Sequence, residues 1–163
     1  MAYVLKAVVA SKLDTERYKC QARVSIINLP QSYCMIPLVN DLLLSIYDQS
    51  PPQPYIPGFM YLKVSILDWI ASCFQSGTFA VVENDTWGGV GEQSALIWKD
   101  GKSIFGPIHT KTDMSEPYTD ENVPLDSGAI NQALRLLGVV KEAEDEFSAL
   151  ALGKHRDTGE WVR

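Results

Sequence analysis

Two glycine-marked reversals between residues 78 and 108 constrain this chain more than any other feature. Residues 78–84, 94–98 and 103–108 are apolar runs rich in the β-branched and aromatic side chains that favour strands. Lys99-Asp100-Gly101-Lys102 joins the second run to the third. Asp-Gly between apolar runs marks a two-residue hairpin turn, because the turn needs φ > 0 at its centre and Gly101 supplies it freely. Trp87-Gly88-Gly89-Val90-Gly91-Glu92-Gln93 joins the first run to the second. Glycines packed this closely mean positive φ or a close approach of the backbone to something else. The pattern predicts a three-stranded antiparallel meander, with a wide turn or bulge fixed by Gly88, Gly89 and Gly91 at its first reversal.

The rest of the chain supplies a hairpin and helices. Residues 3–10 and 22–28 read as two strands forming an N-terminal hairpin that ends at Leu29-Pro30. Residues 37–47 place Leu38, Val39, Leu42, Leu43 and Ile46 at helical spacing behind Pro37. Residues 62–75 carry a broad apolar helical face through Leu62, Ile66, Trp69, Ile70 and Cys73. Asp126-Ser127 is placed to cap a helix over 128–137 that stops at Gly138, and a short helix is expected over 141–151. A Pro-rich connector at 50–58 and a long acidic loop at 109–127 interrupt these elements. The fold class is therefore α+β: one domain over 1–163, with an antiparallel sheet packed against three to four helices. At 163 residues such a chain buries a core without staples.

Charge and cysteine usage narrow the function. Residues 113–146 hold nine acidic and two basic side chains, a local charge of −7 within a total of −6. That distribution argues against nucleic acid, which needs clustered Lys and Arg. It suits a basic protein partner, whose encounter it would steer, and it equally serves as a solvated face. No apolar run is long enough for a membrane-spanning helix, and residues 4–10 have no positive stretch ahead of them, so a first strand is expected there. Three cysteines without a Cys-x-x-Cys pair favour neither zinc nor a disulfide framework, and a cytoplasmic setting follows.

The glycine segment fails both nucleotide-binding patterns. A phosphate-cradling loop needs Lys then Ser or Thr after its last glycine, but Glu92 and Gln93 follow Gly91. A dinucleotide fingerprint needs a third glycine opening a helix, but Ser94 opens a strand. What remains is a structural turn or a recognition loop presenting Trp87. Glu83, Asp85 and Glu92 flank it, with Glu83 and Asp85 on one strand face by their period of two. Such carboxylates could instead act as a general base or hold a hard metal. His109, Asp113 and Glu116 lie close in sequence, but no regular element fixes their spacing. Trp69 and Trp98 sit in apolar patterns and read as core, whereas Trp87 and Trp161 sit in polar contexts and read as interface candidates.

The run 81–98, the later Ile130-Asn131-Gln132-Ala133-Leu134-Arg135-Leu136-Leu137-Gly138, and the Leu29-Pro30 and Ile36-Pro37-Leu38 stretches resemble a family of small bacterial proteins. In it a strand leads into aromatic-Gly-Gly-x-Gly-x-Gln and then into a strand ending in Trp; Trp87 stands where Phe or Tyr is usual. The family carries no activity to transfer. Many compact, acidic, cysteine-poor proteins of this type are immunity proteins that neutralise a toxin. The reading is thus a non-enzymatic module for a basic protein partner, a toxin domain, with no cofactor, no metal, no nucleic acid and no membrane. Its expected contacts are Trp87, Glu83, Asp85, Glu92, Gln93, Asp113, Glu116, Asp120 and Glu121, with Gly88, Gly89, Gly91 and Gly101 shaping the turns. The alternatives are a small enzyme or ligand-binding protein with a carboxylate site near the turn, and a subunit of a bacterial or phage assembly, for which a homodimer is the simplest form.

Overall fold

β1 (Tyr3–Ser11) is apolar on both faces and lies inside the sheet for that reason. In the computed structural model, which describes residues 2–20, 23–47 and 53–163, it pairs with β3 (Tyr33–Pro37) on one side and β4 (Thr78–Trp87) on the other. With β2 (Ile27–Leu29), β5 (Val90–Lys99) and β6 (Lys102–Asp113) it forms a six-stranded antiparallel sheet in the order β2-β3-β1-β4-β5-β6. The architecture is α+β.

Helices cover both faces of the sheet. On one side α2 (Asn40–Tyr47) and α3 (Val64–Phe74) pack on Val8, Ala10, Phe79, Val81 and Leu96. On the other, α4 (Ala129–Leu137), α5 (Glu146–Ala149) and the C-terminal segment pack on Leu5, Ala7, Val9, Val82, Ala95 and Ile97. The first is the α3 face of the sheet and the second the α4 face. A short α1 (Lys12–Glu16) is capped by Ser11, whose hydroxyl accepts the Asp14 N–H. Among the described residues no helix is long and apolar enough to cross a membrane.

The three-stranded meander forms as expected, with longer strands and a tighter first turn. Trp87 pairs with Val90, so only Gly88 (φ 59°) and Gly89 (φ 87°) make the reversal. Gly91, Glu92 and Gln93 belong to β5 rather than to a wide loop. Gly91 faces Thr86, and a Cβ there would lie 3.0 Å from the Thr86 Oγ1. Gly101 (φ 82°) follows Asp100 (φ 50°) in the second turn.

Elsewhere tertiary pairing overrides the local signal. The hairpin expected between residues 3–10 and 22–28 does not form. Of the latter span only Ile27 and Asn28 are in a strand, and β2 pairs with β3 across a reversal at Gln31 and Ser32, both at positive φ; Ala22 lies outside the described residues. Pro37 closes β3 instead of opening a helix, because the Leu38 N–H goes on to donate to the Lys6 carbonyl, and α2 starts at Asn40. The expected 62–75 helix begins at Val64, and the 141–151 helix shrinks to four residues behind an Asp145 cap. Trp161 is buried in the α4-side core with its ring 4.7 Å from that of His155, so it is not a surface anchor.

Two connections also change character. Residues 50–52 of the Pro-rich connector lie outside the described residues. Its remainder and the turn after it fold back on themselves, with the Ile56 N–H on the Leu62 carbonyl and Phe59 and Leu62 buried against the α3 face. In the acidic region, His109–Asp113 completes β6, and only the residues after it form a loop. Asn122 holds that loop: its Oδ1 accepts the Asp113 N–H, and its Nδ2 lies within bonding distance of the carbonyls of Asp113, Glu116 and Pro117.

Candidate functional site

Side chains alternate along a strand, so pairing register decides which polar residues meet. On the α3 face Lys6, Glu83, Ser94 and His109 fall in one row across β1, β4, β5 and β6. The next row toward the hairpin end holds Asp85, Glu92 and Lys111. Trp87 and Val90 complete the same face at the turn.

Glu83 is 5% exposed. Its carboxylate accepts the backbone N–H groups of Met60 (2.8 Å) and Tyr61 (3.0 Å), tying the turn that follows the Pro-rich connector to the sheet. Burial pushes its pKa up to about 7, against the opposing pull of those N–H donors and of Lys6. Lys6 is also buried; it donates to Asn40 Oδ1 at 2.7 Å and lies 4.4 Å from the centre of the Tyr61 ring. Burial lowers its pKa, with Asp157 and Glu83 opposing. Glu83 is therefore a latch that holds the 60–61 turn, not the partner contact expected from the sequence.

Anchored by that latch, Met60 forms one wall of an open groove of about 350 Å³ whose other walls are Asp85, Trp87, Val90 and Glu92. Trp87 is 73% exposed and Met60 49%. The groove therefore combines two large uncovered apolar side chains with two carboxylates, on a hairpin whose turn is fixed by two positive-φ glycines.

Only part of the sequence-predicted set converges here. Trp87, Asp85 and Glu92 line the groove. Gln93 points to the opposite face, where it is buried and its Oε1 accepts the Ile130 N–H at the start of α4. Thr110 Oγ1 accepts the Ala129 N–H beside it, so α4 is capped from the sheet and not by Asp126 or Ser127. Asp113 lies across from Val90 but is engaged by the Ser115 hydroxyl and N–H, which hold its carboxyl below its ordinary value. Glu116, Asp120 and Glu121 stay exposed in the loop beyond β6, away from the groove lining. Met60, Ser94 and Gly58 were not identified from sequence; Met60 arrives from a loop and carries no periodic signal.

Ser94, His109 and Glu92 are placed like a nucleophile relay, with Ser94 Oγ 3.0 Å from His109 Nδ1 and His109 Nε2 3.8 Å from Glu92. The Ser94 hydroxyl, however, is buried and donates to the Gly58 carbonyl at 2.5 Å. A nucleophile must present its oxygen to substrate and its proton to the base. Here the proton is committed elsewhere, and the row acts as a clasp that holds Gly58 on the sheet. Among the described residues no group of three or more His, Cys, Asp or Glu converges as a metal site would require.

No family model matches the chain, and neither a curated protein nor a solved structure does.

Proposed function

We propose that this protein is a non-enzymatic binding module that docks a basic protein partner at the end of the β4–β5 hairpin. The observation that carries the reading is Trp87, an exposed indole that shares its groove with Met60 and with the cross-strand pair Asp85 and Glu92. Trp, Met and Arg are enriched at interface cores, and an aromatic face beside a pair of carboxylates is complementary to a partner's Arg or Lys. The guanidinium or ammonium stacks on the indole while the carboxylates take its N–H groups. The acidic region at 113–146 steers the encounter. Within this reading the compact, acidic, cysteine-poor character of the chain favours, by analogy of type, an immunity protein that plugs a toxin domain made by the same or a rival cell.

The test is affinity capture by the tagged chain from its host, with neighbouring open reading frames assayed for toxicity and rescue. A stoichiometric basic partner is expected, and Trp87→Ala or Glu92→Lys should each weaken its binding by about 2 kcal/mol or more. If both variants bind within about 1 kcal/mol of the unmodified chain, the groove is not the docking site.

An enzymatic reading has one observation in its favour, because a carboxylate held near 7 is in the working range of a general base. Against it, both Glu83 oxygens already accept backbone N–H groups, and the side chain has no open path to substrate. The groove carries the function and Glu83 positions one wall of it.

A further inference from the structure

We propose a second site, on the α4 face, that takes a small uncharged aromatic molecule bearing a carbonyl acceptor. A cavity of about 320 Å³ opens there, and its walls include Tyr3, Asn84, Thr86, Gln93, Asn131 and Phe147. The Tyr3 and Phe147 rings meet edge to face with centroids 5.9 Å apart and form the apolar wall. The same lining holds two carboxamides, Asn84 and Gln93, paired across β4 and β5 and each more than nine-tenths buried.

The orientation of these amides is what points to a ligand. Ile130 donates its backbone N–H to Gln93 Oε1, which leaves Nε2 as the donor end. Thr86 Oγ1 donates to Asn84 Oδ1 at 3.0 Å, which leaves Nδ2 in the same role. Among the described residues neither nitrogen donates to a protein acceptor. Neither nitrogen is sealed off, since the fully buried, unpartnered side-chain atoms among the described residues are only those of Tyr18, Trp98 and Trp161. The amides of two otherwise buried side chains thus meet the open cavity, where two N–H₂ donors on one wall suit an acceptor brought from outside. The third amide, Asn131, is not available, because its Oδ1 accepts the Phe147 N–H and its Nδ2 donates to Leu125 and Asp145. Glu144 and Asp145 also line the cavity and disfavour an anion. A flat ring against Tyr3 and Phe147, with its carbonyl on Asn84 and Gln93, satisfies every one of these features. Because the cavity is on the sheet face opposite the Trp87 groove, this proposal does not depend on the docking reading.

The test uses three probes built on one phenyl ring, benzamide, benzoate and toluene, titrated into the ¹⁵N-labelled full chain while the side-chain amides of Asn84 and Gln93 are followed by NMR. Benzamide is expected to give saturable shifts at both amides, with benzoate and toluene each at least about tenfold weaker. Gln93→Glu keeps an acceptor for the Ile130 N–H, where a carboxylate at a helix N-terminus is well tolerated, but removes the donor. It should weaken benzamide at least about tenfold and leave toluene unchanged. Gly153→Leu narrows the cavity beside Phe147 at a backbone position that accepts a side chain, and should weaken benzamide without touching either amide. Absence of saturable shifts, as when water alone satisfies the amides, would overturn the site. Toluene binding as tightly as benzamide, or benzamide binding Gln93→Glu as it binds the unmodified chain, would overturn the carbonyl assignment.

Discussion

The same three strands present opposite chemistry on their two faces. On the α3 face Glu83, Ser94 and His109 stand in a row with Lys6; one residue along, Asn84, Gln93 and Thr110 stand in a row with Leu5 on the α4 face. The first row places an acid and an amine in the interior, with Glu83 pushed up to about 7 and Lys6 pushed down, both by burial. The second is neutral, and Gln93 and Thr110 use their oxygens to cap α4. The difference shows how a strand end can be polar on both sides without two equal penalties. Neutral amides and hydroxyls need only partners, whereas a buried carboxylate raises its own pKa even when fully bonded.

The largest expected effect lies on the α4 face. Asn131 is fully buried and joins α4 to the α5 cap and to the Leu125 carbonyl. Asn131→Ala leaves the Phe147 N–H and one oxygen of the buried Asp145 without their partner, which should cost about 3–5 kcal/mol in urea unfolding. A loss under about 1 kcal/mol would mean that water replaces the amide and that the Asn131 network is not what secures this face.

On the charged side the expected effect is a slope with pH. Glu83 has a folded pKa of about 7, above its ordinary 4.5. Between those values the native state holds the proton more tightly than the unfolded chain does, so stability contributed by this group is present at low pH and is lost as pH rises toward 7. The shift corresponds to about 3 kcal/mol across that window. Glu83→Gln removes the titration, so the stability of the unmodified chain relative to the variant should fall from pH 4.5 to 7, measured by urea unfolding at each pH. A flat difference would show that the latch is ionised without cost, and the contrast between the faces would vanish.

The contrast was half legible in the sequence. The meander, the Gly101 turn and the α3 and α4 apolar stripes were visible because alternation and helical periodicity are local. Trp87, Asp85 and Glu92 were placed at the site by proximity in the chain and by strand period. Glu83 and Gln93 were misjudged because burial depends on what packs above them: the turn at 60–61 in one case and the start of α4 in the other. The N-terminal pairing failed for a similar reason. Residues 3–10 read equally well as a hairpin arm or an interior strand, and the choice is made by β4, about seventy residues away. Trp161 looked exposed because its neighbours are polar, yet the α4-side core closes over it.

The turn between the faces offers a smaller test. Gly88 and Gly89 have positive φ and empty space where a Cβ would go, whereas Gly91 has ordinary φ and a crowded one. Gly89→Ala should therefore cost about 1–2 kcal/mol through backbone strain alone. Gly91→Ala should cost less than about 1 kcal/mol, because the nearest atom belongs to the Thr86 side chain and can give way. The reverse order in thermal unfolding would mean that close approach, not φ, is why the segment is rich in glycine.

The smallest effect on stability should come from the residue given the largest role in binding. Trp87 is mostly exposed and its turn is held by backbone pairing with Val90, so Trp87→Ala should shift unfolding by less than about 0.5 kcal/mol. Met60→Ala should behave alike, since its backbone N–H, not its side chain, is what the Glu83 carboxylate grips. A residue that contributes little to the fold and much to affinity marks a surface shaped for a partner. If Trp87→Ala instead destabilises the chain by 2 kcal/mol or more, a value on the order of that for a buried aromatic, the indole is a misplaced part of the core. The groove would then close over it, and the docking face would have to be sought elsewhere.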